Sequence, residues 1–118
     1  GGEPLLYYKE ILRFKNLCIY NGKSWKINIE TSLNVPSATV EAIGDIIDHW
    51  IVDIKDMNPL IYKAYTVKDN AAVIGNLRYL LQKNAKITAR VPLIPDFNTE
   101  ADVEKSVNAL KKNGRYRY

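Results

Sequence analysis

One stretch decides the fold: Trp50-Ile51-Val52-Asp53-Ile54-Lys55-Asp56-Met57. It reads as a buried β-strand, although a parallel strand that is covered on both faces is usually apolar throughout. Because side chains alternate between the two faces of a strand, Asp53 and Lys55 share one face. Charges at the C-terminal end of such a strand indicate either a ligand site or a structural role, as a buried ion pair or a cap on the following loop.

Helix-like and strand-like segments alternate on both sides of this stretch. Asp69 and the capping-box sequence Thr99-Glu100-Ala101-Asp102 mark helix starts. Asn21-Gly22 and Asn84 mark helix ends. The spacing of apolar residues predicts helices over 7–21, 36–47, 69–84 and 99–113, and strands over 26–31, 49–55 and 86–93.

This alternation predicts an α/β fold whose parallel sheet is built from right-handed βαβ crossovers. Three strands are too few to close a barrel of about eight strands or to complete most doubly wound sheets. We therefore expect residues 1–118 to form a single partial domain of a larger α/β protein. The open edges of such a short sheet favour self-association.

Composition excludes several classes of protein. The 118 residues are 47% hydrophobic and 25% charged, which is typical of a soluble globular chain, and neither a membrane-length apolar run nor a signal-peptide pattern occurs. Cys18 is the only cysteine, so an intrachain disulfide and a cysteine-rich metal site are excluded. The net charge of +4 comes from scattered lysines rather than a basic stripe. We expect a cytoplasmic protein with no membrane or nucleic-acid partner.

Polar residues gather toward the C-terminal ends of the predicted strands. Glu30, Asp53, Lys55 and Arg90 all fall on the inward faces of the three strands. Active sites of α/β barrels lie at this end, and a mixture of acids and bases suits a charged or zwitterionic small ligand. Gly1-Gly2 would let the backbone approach such a ligand closely, although the pair is equally compatible with a simple strand-to-helix turn.

A family resemblance rests on four segments taken together. They are Gly1-Gly2-Glu3-Pro4-Leu5-Leu6, Glu30-Thr31-Ser32, Asp53-Ile54-Lys55-Asp56-Met57 and Arg90-Val91-Pro92-Leu93-Ile94-Pro95. In this order and spacing they resemble radical S-adenosylmethionine enzymes, and most of all the glycyl-radical-enzyme activating enzymes of the pyruvate formate-lyase activase type. The resemblance covers residues 1–110.

The resemblance implies part of a TIM-type barrel with a [4Fe–4S] cluster and S-adenosylmethionine at its mouth. It also implies reductive cleavage of S-adenosylmethionine, after which a 5′-deoxyadenosyl radical removes hydrogen from a backbone glycine of a partner enzyme. The implied partners are that glycyl radical enzyme and an electron donor such as flavodoxin. In such an enzyme the side chains position the cofactor and exclude water.

The resemblance further implies seven cofactor-binding residues: Gly1, Gly2, Glu3, Glu30, Asp53, Lys55 and Arg90. The GGE segment lines the methionine amino group. The two acids on the strands lie near the cofactor, and the first of them can also help to hold a cation. The lysine of the D-x-K motif contacts the cofactor carboxylate, and the arginine lies in the same interior without a firm role.

The chain departs from the family pattern at several points. The family binds its cluster with a C-x3-C-x2-C motif upstream of the GGEP segment, and Cys18, on an apolar helix face, cannot replace it. A later strand with a cofactor-binding histidine is also missing. We therefore expect residues 1–118 alone to bind no cofactor and to be inactive. Leu33 and Asp96 stand where the family commonly has glycine.

Two other functions stay open. One is a non-catalytic α/β module that binds a small anion or a protein, with the motifs inherited but unused. The other is a radical S-adenosylmethionine enzyme that acts on a small molecule or on a ribonucleotide reductase.

Overall fold

Three short parallel strands form the centre of the fold in the computed structural model, which describes residues 2–113. They are β1 (Asn28–Thr31), β2 (His49–Asp53) and β3 (Ile87–Arg90), in the order β1-β2-β3. The central strand β2 is parallel to both neighbours. The predicted parallel α/β arrangement is confirmed, with strands shorter than the sequence pattern indicates.

Five α-helices surround the sheet in the described part of the chain: α1 (Tyr8–Tyr20), α2 (Ser37–Ile43), α3 (Pro59–Thr66), α4 (Ala71–Gln82) and α5 (Glu100–Asn113). A 3₁₀ turn, Pro4–Tyr7, leads into α1. None of these helices has both the length and the apolar character needed to cross a membrane.

Helix α3 is absent from the sequence-based prediction. Its start carries two signals, because the Asn58 side chain accepts a hydrogen bond from the Leu60 backbone N–H at 2.9 Å and Pro59 occupies the first turn. The helix is only eight residues long and buries just Tyr62, so its apolar periodicity is weak.

One face of the sheet packs against the helices and forms the core. Trp50 and Val52 of β2 are fully buried, and Ile29 and Ala89 are buried beside them on the neighbouring strands. Each such large apolar side chain stabilises the fold by about 1.5–3 kcal/mol. The residues that complete this core from the helices and loops are Leu5, Leu33, Val35, Val40, Ile43, Ile47, Ile54, Tyr62, Val73, Leu77, Leu80 and Leu110. The alternation of faces predicted from the sequence is confirmed in all three strands.

The predicted capping box of α5 is confirmed. Thr99 and Asp102 exchange hydrogen bonds at the start of α5: the Thr99 backbone N–H donates to the Asp102 carboxylate at 2.8 Å, and the Asp102 N–H donates to the Thr99 hydroxyl at 3.2 Å. The predicted start of α4 is one residue early, because Asn70 occupies the N-cap position; the Asp69 side chain accepts from the Ala71 N–H at 3.0 Å from just outside the helix. Asn84 ends that helix segment in the left-handed conformation, with φ of 56°.

Leu33 and Asp96, the two positions where the family commonly has glycine, both have left-handed backbone. Their φ angles are 58° and 69°. Glycine reaches this region without the clash between Cβ and the carbonyl that other residues meet. The loops therefore keep a glycine-like conformation although their side chains differ.

Candidate functional site

A pocket of about 430 Å³ opens at the C-terminal ends of β1 and β2. The polar face of the sheet, which lies opposite the core and is called the open face below, leads directly to this pocket. The pocket is lined by residues of the N-terminal segment and of the ends of β1 and β2, half of them ionisable: Gly2, Glu3, Pro4, Glu30, Thr31, Ser32, Asp53 and Lys55. Five of the seven residues proposed from the sequence as cofactor-binding thus line one pocket, whereas Arg90 is not part of its lining and Gly1 lies outside the described residues.

Charges on the open face form a chain across all three strands. Lys55 Nζ lies 2.7 Å from Asp53 Oδ2, and these side chains are 30% and 48% exposed. Arg90 Nη1 lies 3.8 Å from Glu30 Oε1. Because Asp53 and Arg90 are register partners on β2 and β3, the two pairs adjoin each other. The partial exposure of these groups leaves them accessible to a ligand.

Glu3 makes the densest set of hydrogen bonds in the pocket. Its carboxylate accepts from the Leu5 N–H at 2.9 Å, from the Ser32 N–H at 2.9 Å and from the Ser32 hydroxyl at 2.8 Å. The Thr31 hydroxyl lies 2.8 and 2.7 Å from its two oxygens. These contacts join the N-terminal segment to the end of β1, and sequence reasoning did not find them because the partners are 28 and 29 residues apart.

Lys55 extends toward an aromatic edge beside the pocket. Its Nζ lies 6.0 Å from the centroid of the Tyr65 ring, which meets the Phe97 ring edge-on at 4.9 Å. Tyr65 is 40% exposed. Sequence reasoning missed the contact with Phe97, because Phe97 lies in the loop between β3 and α5, where side chains follow no periodic pattern.

Tyr62 lies buried behind this edge. Its hydroxyl accepts a hydrogen bond from Asn34 Nδ2 at 3.1 Å. Burial raises the pKa of Tyr62 above its ordinary value, while the Asn34 hydrogen bond and the charge of Lys55 act in the opposite direction. Tyr62 therefore stays a neutral phenol that packs between α3 and the loop after β1.

Asp56, next to Lys55 in the sequence, is a buried hub. It is 1% exposed and accepts hydrogen bonds from the Asn58 N–H at 2.9 Å, from the Ser106 hydroxyl at 2.8 Å and from Asn98 Nδ2 at 3.2 Å. The hub ties the end of β2 to α5 and to the loop after β3. Sequence reasoning missed this structural role, because two of the three donors come from distant segments.

The chain is similar in sequence to several activating enzymes. It is 35% identical over 100 residues to a (2S)-3-sulfopropanediol dehydratase activating enzyme from Klebsiella oxytoca, covering 85% of this chain and 31% of that protein. It is 34% identical over 116 residues to an isethionate sulfite-lyase activating enzyme from Desulfovibrio desulfuricans, covering 95% of this chain and 35% of that protein. No protein-family model matches.

A solved structure shares the fold. A domain of a pyruvate-formate lyase-activating enzyme from Bacteroides vulgatus ATCC 8482 superimposes with a TM-score of 0.79 at 23% identity, over 99% of this chain and 72% of that one. The incomplete parallel βα architecture expected from the sequence is therefore confirmed.

The structural comparison defines the class of fold: an incomplete parallel α/β fold shared with a pyruvate-formate lyase-activating enzyme domain. The homologues of the chain are glycyl-radical-enzyme activating enzymes, which confirms the resemblance read from the four segments. The chain spans about a third of the length of the curated relatives that it matches.

The residues present fit the two cofactors of this family differently. Cys18 is 5% exposed within α1, and the residues that the structure describes contain no group of three His, Cys, Asp or Glu side chains suited to a metal. This donor set does not fit an iron–sulfur cluster, which needs thiolates. The pocket does fit S-adenosylmethionine in charge, and a Cβ on Gly2 would project into open space, so its backbone is accessible.

Proposed function

We propose that residues 1–118 form the S-adenosylmethionine-binding part of an activating enzyme that generates a glycyl radical on a partner enzyme. One observation carries the proposal. The carboxylates of Glu3, Glu30 and Asp53 and the amine of Lys55 line one pocket at the C-terminal end of the sheet, and Arg90 of β3 lies 3.8 Å from Glu30. The homology to activating enzymes supplies the reaction class.

Each charged group has a role set by the charges of the ligand. Glu30 and Asp53 face the cationic sulfonium and ammonium groups, because carboxylates favour nearby positive charge. Lys55 donates to the ligand carboxylate, since a charge-assisted hydrogen bond is about twice as strong as a neutral one. Gly1 and Gly2 offer backbone groups to the methionine amino group, and Arg90 balances the charge of Glu30.

When bound and reduced by one electron, S-adenosylmethionine supplies the radical chemistry that activates the partner. The chain itself positions the ligand and shields it from water, with the Tyr65 and Phe97 rings lying beside Lys55. The cluster thiolates have to come from outside residues 1–118, because Cys18 is the only cysteine. We also infer an electron donor such as flavodoxin and a cytoplasmic location, where a lone unpaired cysteine is stable.

The test uses the complete gene product that contains residues 1–118, reconstituted anaerobically with iron and sulfide. We expect cleavage of S-adenosylmethionine to 5′-deoxyadenosine, and a glycyl radical signal by electron paramagnetic resonance when a glycyl radical enzyme is added. Lys55→Met should raise KM for S-adenosylmethionine by roughly tenfold or more, because it removes a charge-assisted hydrogen bond. Lys63→Met, on the exposed surface of α3, is the matched control and should leave KM unchanged.

The outcomes separate the competing functions. Cleavage without transfer to any glycyl radical enzyme would favour a radical enzyme with a small-molecule or ribonucleotide reductase substrate. Absence of both cleavage and S-adenosylmethionine binding would favour the non-catalytic module, which the single buried cysteine of residues 1–118 makes the second candidate. Residues 1–118 alone, treated in the same way, should show neither a cluster nor cleavage.

A further inference from the structure

The hydrogen bonds of Glu3 use nearly all of its capacity as an acceptor. An ionised carboxylate only accepts hydrogen bonds and offers about four lone-pair sites. Four donor groups already occupy them: the Leu5 N–H, the Thr31 hydroxyl, and the N–H and hydroxyl of Ser32. An ammonium group in the pocket would therefore find its acceptors on other residues.

The same hydrogen bonds fix the loop that follows β1. The Thr31 hydroxyl donates to Glu3 and accepts from the Leu33 N–H at 3.0 Å. The Ser32 hydroxyl likewise donates to Glu3 and accepts from the Asn34 N–H at 3.1 Å. Each hydroxyl has one proton. Because that proton points toward Glu3, the lone pairs of the hydroxyl oxygen can accept from the backbone N–H groups.

A buried side chain of α4 binds the same loop through its carbonyl groups. Asn76 of α4 is 2% exposed, and its Nδ2 donates to the Leu33 and Val35 carbonyls at 2.9 Å each. Leu33 is thus held in its left-handed conformation by donors on one side and acceptors on the other. A loop with this strained residue keeps its shape only while both sets of bonds persist.

We propose that Glu3 is a positioning residue, whose carboxylate binds the loop of residues 31–34 rather than the ligand and so sets the shape of the pocket wall. This proposal rests on the proposed function for the identity of the ligand. For Glu3, it departs from the role that the resemblance implies for the GGE segment, which is to line the methionine amino group. Under it, the cationic groups of the ligand are bound by Glu30, Asp53 and the backbone beside Gly2.

Glu3→Gln tests the proposal because the amide replaces two acceptor sites with an NH₂ donor. Whichever way the amide turns, its nitrogen faces the Leu5 N–H or the Ser32 N–H, and a backbone N–H cannot reverse its direction. In residues 1–118 without ligand, we expect amide hydrogen exchange at Ser32, Leu33 and Asn34 to become at least about tenfold faster. Glu10→Gln, an exposed site on α1, is the matched control and should change none of these amides.

A double-mutant cycle in the complete gene product distinguishes positioning from direct contact. Thr31→Val removes one hydrogen-bond donor to Glu3 and leaves the charge of the pocket unchanged. We expect each single variant to weaken binding of S-adenosylmethionine by roughly tenfold, and the double variant to bind no worse than Glu3→Gln, because both changes break the same set of bonds. Thr31→Val also serves alone if Glu3→Gln fails to fold.

Two results would overturn the proposal. One is unchanged exchange at residues 32–34 in a folded Glu3→Gln variant that binds ligand weakly. The other is affinity losses that multiply in the double variant, as expected when Glu3 contacts the ligand itself. Failure of the wild-type protein to bind S-adenosylmethionine would instead contradict the proposed function, while the exchange measurement would still decide whether Glu3 holds the loop.

Discussion

The guanidinium of Arg90 on β3 lies 3.8 Å from the carboxylate of Glu30 on β1, so a single ion pair crosses the open face of the sheet over β2. The two side chains are 58% and 70% exposed. Water therefore screens the pair strongly, and each partner stays free to exchange it for a ligand group. The contact joins the outer strands through a weak bond at the place where the pocket opens.

Arg90→Gln should accordingly change the free energy of unfolding by less than about 1 kcal/mol, as is typical of exposed ion pairs. Urea denaturation measures this, and the small difference should shrink further at high salt because screening already weakens the pair. Arg78→Gln, on the exposed surface of α4, is the matched control. A loss of several kcal/mol specific to Arg90 would show that the pair supports the fold rather than remaining available to a ligand.

Replacement of Val67 by glycine should stabilise the fold. It follows α3 with φ of 64°, is 83% exposed, and its N–H caps the helix by donating to the Lys63 carbonyl at 2.8 Å. A β-branched residue is strained in this left-handed conformation, whereas glycine is not. We expect Val67→Gly to raise the free energy of unfolding by about 0.5–1 kcal/mol, after the backbone entropy of glycine is subtracted.

Asp96→Gly is the natural comparison for this change, because Asp96 has a similar φ of 69° and is also exposed. Aspartate tolerates the left-handed region better than valine does, so thermal unfolding should show a smaller gain. Equal gains in stability from the two substitutions, or a loss of stability in Val67→Gly, would contradict the explanation from β-branching.

The sequence predicts much of this molecule because its main signals are local. Alternation along the strands placed Asp53 and Lys55 on one face, and the Thr99-to-Asp102 capping box marked the start of α5. The contacts that shape the pocket are different in kind. Glu3 meets Thr31 across 28 residues, and no periodic pattern encodes such a meeting, since it depends on how the N-terminal turn packs against β1.

The edges of the sheet should promote self-association of residues 1–118. Within the part of the chain that the structure describes, β1 and β3 pair only with β2, so each leaves an outer edge of backbone donors and acceptors. Such edges tend to pair with another strand. Sedimentation at micromolar concentration should show species larger than the 13.5 kDa chain. A single monomeric boundary would be the contrary result.

Asp56 should be important for stability although it lies beside the pocket. In Asp56→Asn, the amide nitrogen faces either Asn98 Nδ2 or the Asn58 N–H, whichever way the amide turns, so one donor at this buried site loses its acceptor. A buried donor without a partner costs about 1–3 kcal/mol, so we expect a loss of about 2 kcal/mol in denaturant unfolding. Asp96→Asn, the same change at an exposed site, should have no measurable effect. Comparable stability of the two variants would show that the hub contributes nothing to stability.

The capping box of α5 gives a pH dependence with a defined direction. Hydrogen bonds from the Thr99 backbone and hydroxyl lower the pKa of Asp102 below its ordinary value of 3.8. Because the folded pKa is the lower one, Asp102 contributes stability above pH 3.8, and this contribution is lost as pH falls through the folded pKa. The difference in unfolding free energy between the wild type and Asp102→Asn should therefore be largest near neutral pH and decline in acid. A difference that stays constant from neutral pH to pH 2 would show that the charge of Asp102 does not stabilise the start of the helix.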